Sequence, residues 1–433
     1  MQIPFACFLV MAVLCTSPAP AAAQAAPQSP APSASRLLRV FLDCDNCDED
    51  YIRKEVTFVD YVRNREDAEV HVLVTIQSTG GGGRQWTLKY IGLGARQGQD
   101  QTLVYNSPQT ATSDEIRAGF VNIFKLGLVR YAATTPIGSQ LQVTFKTTDA
   151  ANKNTKQVDR WNYWVFRVGG SGDINGEEQQ KGRSIRSSFS ASRTTDAWRM
   201  SFNGSARYSD STFLLEDEDG LRTPFLSVSR SMDTSGIVVK SLTQHWSLGL
   251  MGSITSQTFR NYVARTRLAP GIEYDYFPYS ESTRRMLTFQ YTVGHDYLKY
   301  REITIFGKEQ EQLVDHRAEI GLSMRQPWGN ANAQFNFTQF LTQPSKYSLG
   351  VEGFSEIRIF KGFSVSFFGE YSRTRDQIYL PRGVATTEEI LLRQRQLLSG
   401  YQYFMNFGVS YSFGSIFNNI VNPRFGGGGG SFF

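Results

Sequence analysis

The sequence contains no long apolar run. After residue 16, none of its 433 residues begins a stretch of about 20 apolar side chains, the length that a membrane-spanning helix needs. The mean hydropathy is −0.33. Together these observations exclude a helical membrane protein and leave a soluble protein or a membrane β-barrel.

The sequence also has little excess of charge of one sign. Its formal net charge is +5, from 45 basic and 40 acidic residues, and the basic residues form no cluster. Nucleic acid is therefore not expected as a partner. Aromatic residues, by contrast, are abundant, with 20 tyrosines and 31 phenylalanines. Because membrane barrels collect aromatic residues in two interfacial girdles, this abundance favours a barrel.

The first 24 residues have the pattern of a signal peptide. Residues 5–14 form an apolar segment, and three alanines at 21–23 provide a cleavage site, although no lysine or arginine precedes the apolar segment. The leucine before Cys15 argues against lipidation there, because a lipoprotein site prefers a small residue. Residues 25–35 are mostly alanine, proline, serine and glutamine, and we predict a disordered linker.

Cysteine is rare. Only Cys44 and Cys47 follow the predicted signal peptide, and in an oxidising periplasm we expect them to form a local disulfide. A redox-active pair is the alternative, since the cysteines follow an apolar strand. Zinc would need two further ligands, and the neighbouring acidic residues lack the spacing of a calcium loop. No metal and no cofactor is therefore expected.

Residues 36–150 combine helical and strand patterns. We predict the order β-α-β-β-β-α-β, with a helix over 48–65, a helix over 113–130 that Ser113 caps, and a closing strand over 141–147. The four glycines at 80–83 join two strands, so they predict a hairpin tip and not a phosphate loop. The order resembles the small periplasmic domains of the TolB amino-terminal and curli-secretion types. That resemblance implies an α/β domain that binds envelope proteins.

After a predicted linker over 151–160, the pattern of residues 161–416 has a period of two. Segments such as 285–302 place apolar residues on one face and polar residues on the other. A soluble β-sandwich gives the same alternation. Long strands, small polar residues on one face and connections of alternating length favour an outer-membrane barrel instead. The predicted fold class is mainly β, an antiparallel up-and-down barrel of about twelve strands.

The connections predict how the barrel is oriented. Tight joins, such as 195–197 and 361–362, are assigned to the periplasm, and long joins, such as 172–181 and 381–399, to the cell surface. The strand before the join 381–399 is predicted over 363–380. An even number of strands then places the N-terminal domain in the periplasm. The loop 381–399 contains a predicted amphipathic helix over 388–398.

The chain ends in a glycine-rich tail, residues 417–433, with two terminal phenylalanines. A terminal aromatic residue is the usual address for barrel insertion, so the barrel-assembly machinery is an expected partner. Outer-membrane lipid is a second partner, and a periplasmic protein bound through residues 36–150 is a third.

Four short stretches of the sequence carry a resemblance to known proteins: residues 56–63 (VTFVDYVR), 277–285 (FPYSESTRR), 325–329 (RQPWG) and 415–419 (SIFNN). They resemble a group of uncharacterised bacterial outer-membrane proteins. The barrel portion is similar to the salt-induced outer-membrane protein family, a domain of unknown function. This resemblance implies a barrel in the outer membrane and supplies no catalytic residues.

Charged residues of both signs are predicted to face the lumen. Mixed signs predict salt bridges that fill a narrow or plugged lumen, whereas a ring of one sign would predict ion selectivity. Glu319 and Arg325 on one strand, and Glu352 and Arg358 on a later strand, are examples of such opposed charges. The predicted set is Arg186, Arg199, Arg207, Glu273, Asp275, Glu319, Arg325, Glu352, Arg358 and Glu370.

His245 and Ser247 are the one pair with the spacing of a catalytic site. Outer-membrane phospholipase places a histidine and a serine two apart on one strand, so that the imidazole can deprotonate the hydroxyl. This pair lies at the predicted periplasmic end, whereas that enzyme meets lipid near the outer leaflet, so we predict no catalytic residue. The sequence thus predicts a structural or adaptor protein of the envelope. A passive channel is the alternative, and a lipid-active enzyme is the second alternative.

Overall fold

The structure is a computed structural model, and the residues that it describes form two β-sheets. It describes residues 37–142, 144, 159–216, 222–383, 400–417, 419–422 and 424. The predicted signal peptide, the linker 25–35, the helix at 388–398 and most of the tail lie outside these ranges. So do most residues of the linker 151–160 and of the strand predicted at 141–147. Residues 37–433 belong to one compact unit.

The N-terminal domain consists of a five-stranded sheet with two helices packed on one face. The sheet order is β2-β1-β3-β4-β5; β1 is parallel to both of its neighbours, and β3, β4 and β5 are antiparallel. Val72 and Leu88 share one buried core with Phe124. The elements are β1 (Leu38–Asp43), α1 (Glu49–Glu55), β2 (Val59–Tyr61), β3 (Val70–Ser78), β4 (Arg84–Gly92), β5 (Gln101–Ser107) and α2 (Ser113–Ala132).

The helix predicted over 48–65 is wrong beyond its first two turns. α1 ends at Glu55, and β2 follows it as a parallel neighbour of β1. Val59 and Tyr61 are buried on either side of the half-buried Asp60, which is the alternation of a strand. The pattern was ambiguous because Val56, Val59 and Val62 also fit a helical spacing.

Both helices begin at a capping residue. The carboxylate of Asp48 accepts a hydrogen bond from the backbone N–H of Tyr51. Thr112, one residue before the predicted cap Ser113, forms a capping box with Glu115. No helix in the described part of the chain is long and apolar enough to cross a membrane.

α2 packs closely against β4 and β5 through two glycines. A Cβ atom at Gly127 would lie 2.0 Å from Cζ of Tyr90, and one at Gly119 would lie 2.3 Å from the hydroxyl oxygen of Tyr105. The Tyr90 hydroxyl also donates to two carbonyl oxygens of α2, each at 3.2 Å. The helix can therefore reach the sheet only because these two positions carry no side chain.

The second sheet has twelve antiparallel strands, which confirms the predicted number. Each strand pairs with the next one in sequence, and β6 and β17 are the two edges. No pairing between β6 and β17 occurs among the described residues, so closure of the sheet is not shown. The strands are β6 (Trp164–Gly176), β7 (Gln180–Thr194), β8 (Trp198–Glu216), β9 (Arg222–Ser241), β10 (Trp246–Gln257), β11 (Tyr262–Asp275), β12 (Arg285–Tyr300), β13 (Gln310–Gln326), β14 (Gly329–Phe340), β15 (Gln343–Phe360), β16 (Phe363–Thr374) and β17 (Tyr401–Tyr411).

Five connections lie at one end of this sheet, and four of them are short. We call this the tight-turn end; its connections are 195–197, 242–245, 276–284, 327–328 and 361–362.

Two predicted boundaries at the opposite end are wrong. β6 and β7 pair as far as Gly176 and Lys181, so the loop between these strands is much shorter than the predicted 172–181. β16 ends at Thr374 and not at 380, because the chain turns back toward β11 and β12. The side-chain amide of Asn261 holds it there by donating to the carbonyl oxygen of Tyr379 at 3.1 Å.

On its middle strands β11 and β12, the twelve-stranded sheet shields polar side chains and exposes apolar ones. On β12, Phe289, Tyr291 and Val293 are exposed, whereas Thr292 and Asp296 are buried. A sheet of a water-soluble protein has the opposite arrangement, with its apolar face buried. We refer to the shielded side as the polar face.

The close contact between α2 and β4 predicts the effect of one added methyl group. In an isolated helix, alanine is more stable than glycine by about 1 kcal/mol. Gly127→Ala should nevertheless lower the free energy of unfolding by about 1–3 kcal/mol, because the methyl group overlaps Tyr90. Chemical denaturation of the purified protein, followed by its helical circular dichroism, measures this. Asn122→Ala, at an exposed position of α2, is the matched control and should not destabilise the protein. A stabilised Gly127→Ala variant would contradict the packing described here.

Candidate functional site

The N-terminal domain lies against the tight-turn end of the twelve-stranded sheet. Its contacts extend from β7, where Gly80 meets Thr194, to the residues that follow β17. The contacting surface is the face of the five-stranded sheet opposite the helices, which carries Asp43 and His71. We call this contact region the junction.

Asp43 is the centre of the junction. Its carboxylate accepts two hydrogen bonds from the guanidinium of Arg358 on β15, at 2.7 and 2.9 Å, in a bidentate arrangement. Nε2 of His71 on β3 lies 3.1 Å from the same carboxylate. Asp43 is 6% exposed and His71 is fully buried, so this three-residue group joins the two sheets in an environment with little water.

The surroundings shift the pKa values of Asp43 and His71, the two members of this group that belong to the N-terminal domain. Burial alone would raise the pKa of Asp43, but the hydrogen bonds from Arg358 and His71 outweigh burial and hold the pKa well below its usual range. Burial lowers the pKa of His71, and the neighbouring guanidinium of Arg358 acts in the same direction, against the attraction of Asp43. At neutral pH, His71 is therefore neutral and donates from Nε2 to an ionised Asp43.

Further contacts flank this group. Arg325 on β13 forms an ion pair with Asp45, and Lys361 forms one with Asp67 at 2.7 Å. The segment after β17 pairs with the edge strand of the N-terminal domain, where the backbone N–H of Arg63 donates to the carbonyl oxygen of Ile416 at 2.9 Å. The junction is therefore held by charge pairs and by a short strand-like contact.

These contacts correct the charge pairing expected from the sequence. Arg325 and Arg358 find their carboxylate partners in the N-terminal domain, and not in Glu319 and Glu352 on their own strands. Both arginines lie at the tight-turn end, and each is six residues away from the glutamate on its own strand. That separation is about 20 Å, beyond the reach of the side chains.

The other predicted lumen charges lie on the polar face without pairing with one another in the described residues. Two like-charged pairs stand directly opposite each other on neighbouring strands: Arg186 with Arg207, and Glu352 with Glu370. Four further residues complete the set: Arg199 at the start of β8, Glu273 and Asp275 at the end of β11, and Glu319 on β13.

A buried charge cluster on the polar face was missed by the sequence reading. Arg267 on β11 donates to Asp315 on β13 at 2.7 Å, and Arg265 donates to Asp296 on β12 at 2.7 Å. Arg317 also pairs with Asp315, at 3.1 Å. Both aspartates are fully buried. The alternation already pointed to this cluster, because Asp315 and Arg317 have the same parity as Glu319, which was assigned to the polar face.

Cys44 and Cys47 are joined by a disulfide, with their Cα atoms 5.7 Å apart. It lies in the turn between β1 and α1, next to Asp43 and Asp45 of the junction. No group of three or more potential metal-ligating side chains occurs within the described ranges.

His245 does not contact Ser247 in the described structure. Its Nδ1 lies 2.6 Å from the carbonyl oxygen of Asp275, and its ring stacks near Tyr274. The arrangement fixes the imidazole at the tight-turn end of the sheet.

No protein-family model matches the chain, and no curated protein sequence matches it. Among solved structures, one described as "NanC porin structure in rhombohedral crystal form" is similar over 57% of this chain and 99% of its own length. The sequence identity is 10% and the TM-score is 0.27. A likeness of this degree shows neither a shared function nor a shared ligand.

The buried His71 predicts a pH dependence of stability. Its pKa in the folded protein is below the unfolded value of 6.5, so the unfolded chain binds a proton more readily as the pH falls. As far as His71 is concerned, the free energy of unfolding is at its maximum above pH 6.5. Below that pH it declines by up to about 1.4 kcal/mol per pH unit. Denaturation of the purified protein between pH 7 and pH 5 measures this decline.

His71→Gln should reduce that slope, because glutamine does not titrate. His295→Gln removes an exposed histidine from β12 and is the control that should keep the wild-type slope. If His71→Gln retains the full slope, the buried imidazole is not its source.

Proposed function

We propose that this chain is an outer-membrane protein whose twelve-stranded sheet closes through β6 and β17 into a β-barrel. The observation that carries the proposal is the exposure of the apolar face together with the burial of charged residues such as Arg267, Asp296 and Asp315 on the opposite face. An apolar outer surface suits lipid, and a polar interior suits a barrel lumen. Two long, unpaired edge strands would be prone to aggregation in water, and closure removes both.

The role that we propose is structural or adaptor-like and non-enzymatic. In this arrangement the tight-turn end faces the periplasm, and the N-terminal domain lies across it and blocks or narrows the lumen. Its helices face away from the junction and offer a surface to a periplasmic protein. Outer-membrane lipid would contact the apolar face, and the barrel-assembly machinery would insert the chain. The resemblance to the salt-induced outer-membrane protein family remains a prediction.

A passive channel for small solutes is the alternative. It is favoured by four glutamates on the polar face that have no ion-pair partner among the described residues: Glu273, Glu319, Glu352 and Glu370. Carboxylates that form no direct ion pair are stabilised by water, and a hydrated lumen supplies it. Such a lumen would favour cations along β11–β16.

Closure of the barrel predicts that β6 and β17 can be cross-linked. Phe166→Cys on β6 should form a disulfide with one of Met405→Cys, Phe407→Cys or Val409→Cys on β17, which all belong to the exposed face. Three positions are needed because the register of the closing pair is open, and a disulfide requires Cα atoms within about 7 Å. Non-reducing electrophoresis of the protein in membranes detects the bond. Phe166→Cys with Ile254→Cys on β10 is the control that should not cross-link. If Phe166→Cys forms a disulfide with none of the three β17 variants, closure of the sheet through β6 and β17 is contradicted.

The position of the N-terminal domain predicts low conductance. Wild-type protein in a planar bilayer should conduct little, and Asp43→Ala with Asp45→Ala should raise the conductance, because both bonds to Arg358 and Arg325 are lost. Removing one partner of a buried pair also leaves the other charge uncompensated, which weakens the junction further. Asp114→Ala, on the exposed surface of α2, is the control and should conduct as wild type does.

Circular dichroism should show that the double variant keeps its helices, so that the junction and not the fold has changed. A wild-type protein that already conducts strongly would favour the channel over the blocked barrel.

A further inference from the structure

A polar cavity lies on the polar face, away from the junction. Its volume is about 270 Å³, and it lies over strands β8 to β13. One continuous row of paired residues crosses its floor, from Asn203 through Ser235 and Ser253 to Arg267. Ser201 and Arg317 complete its polar lining.

Every polar side chain that lines this cavity can donate a hydrogen bond. Three serine hydroxyls, one asparagine amide and two guanidinium groups surround it, and no carboxylate is among the lining residues. A second cavity on the same face, lined by Glu352, Asn332 and Gln334, has no arginine. The excess of donors is therefore a property of this cavity and not of the whole polar face.

The arginines of the cavity belong to a cluster with an excess of positive charge. Three guanidinium groups, of Arg265, Arg267 and Arg317, face two carboxylates, of Asp296 and Asp315. The aspartates are fully buried, whereas the side chain of Arg317 is 31% exposed. The cluster thus holds one guanidinium more than it has carboxylates, and its most exposed guanidinium, that of Arg317, faces the cavity.

The cluster is held in place by the local backbone. A Cβ atom at Gly294 would lie 2.7 Å from the guanidinium of Arg267, so only glycine lets this side chain cross β12 to Asp315. Arg267 then makes three bonds of 2.7–3.1 Å to that carboxylate. The donors that face the cavity are fixed before any ligand arrives, which favours binding.

We propose that this cavity binds a small oxyanion, with its carboxylate or phosphate group against Arg317 and Arg267. Guanidinium groups match the geometry of such oxygens, and the serine and asparagine donors fit the remaining acceptors of a small polar ligand. The volume corresponds to about nine waters at ~30 Å³ each, which suits a ligand the size of a small organic acid or phosphate ester. Three further charges lie two residues from lining residues on the same face: Glu319 next to Arg317, Arg199 next to Ser201 and Asp233 next to Ser235. Glu319 forms no ion pair with Arg317 among the described contacts, so both guanidinium groups of the lining still face the cavity. The site lies within one sheet and does not depend on closure or on location in a membrane.

Calorimetric titration of the full-length purified protein with inorganic phosphate and, separately, with gluconate tests the proposal. We expect saturable binding of at least one probe, with one site per chain. Binding of phosphate alone identifies a phosphate site, and binding of gluconate alone a carboxylate site. If neither probe binds saturably, the proposal fails.

Asn203→Asp is the sharpest variant, because it keeps the shape of the side chain and places a negative charge in the cavity. It should weaken binding by about tenfold or more, since like charges then face each other. Asn332→Asp makes the same change in the second cavity and should bind as wild type does. Arg317→Gln should also weaken binding, and it checks the result if Asn203→Asp does not fold. Unchanged affinity in a folded Asn203→Asp variant would overturn the assignment.

Discussion

The geometry of the β-strand is the constraint on which the rest of this structure depends. Successive side chains point to opposite faces, so a sheet that exposes its apolar residues must bring its polar ones together on the other side. Shielded charges are costly unless they find partners. The buried cluster around Arg267 and Asp315 meets this requirement within the sheet, across three neighbouring strands.

At the tight-turn end the same requirement is met between the two parts of the chain. Arg358 and Arg325 reach out of the sheet, and the N-terminal domain supplies Asp43 and Asp45. Since His71 is neutral and donates to Asp43, the carboxylate is bonded from both sheets at once. The domain is therefore attached by the charges of Arg325 and Arg358, together with the strand-like contact between its edge and the segment after β17.

Much of this architecture could be predicted from the sequence, because the period of the hydrophobic pattern is a local property. The twelve strands were found since each one alternates over many residues. Residues 56–62 were assigned wrongly because a short segment can satisfy the helical and the strand period together, and only pairing with β1 decides between them. The junction could not be predicted, because Asp43 and Arg358 are 315 residues apart and no local pattern connects them. The buried cluster around Arg267 and Asp315 could have been predicted, because its members follow the same alternation of polar and apolar residues that predicts the strands.

The distance along the chain between the two sides of the junction sets an order of events during biosynthesis. The core of the N-terminal domain uses only residues 38–131, which leave the ribosome early. Its attachment needs Arg358 and then the segment around Asn419, whose side chain meets Tyr61 across 358 residues. Contacts this distant in sequence form late, after the cost of closing so long a loop has been met. The N-terminal domain can therefore dock fully only after the last strand is in place. In an incomplete chain this domain would be folded but not docked.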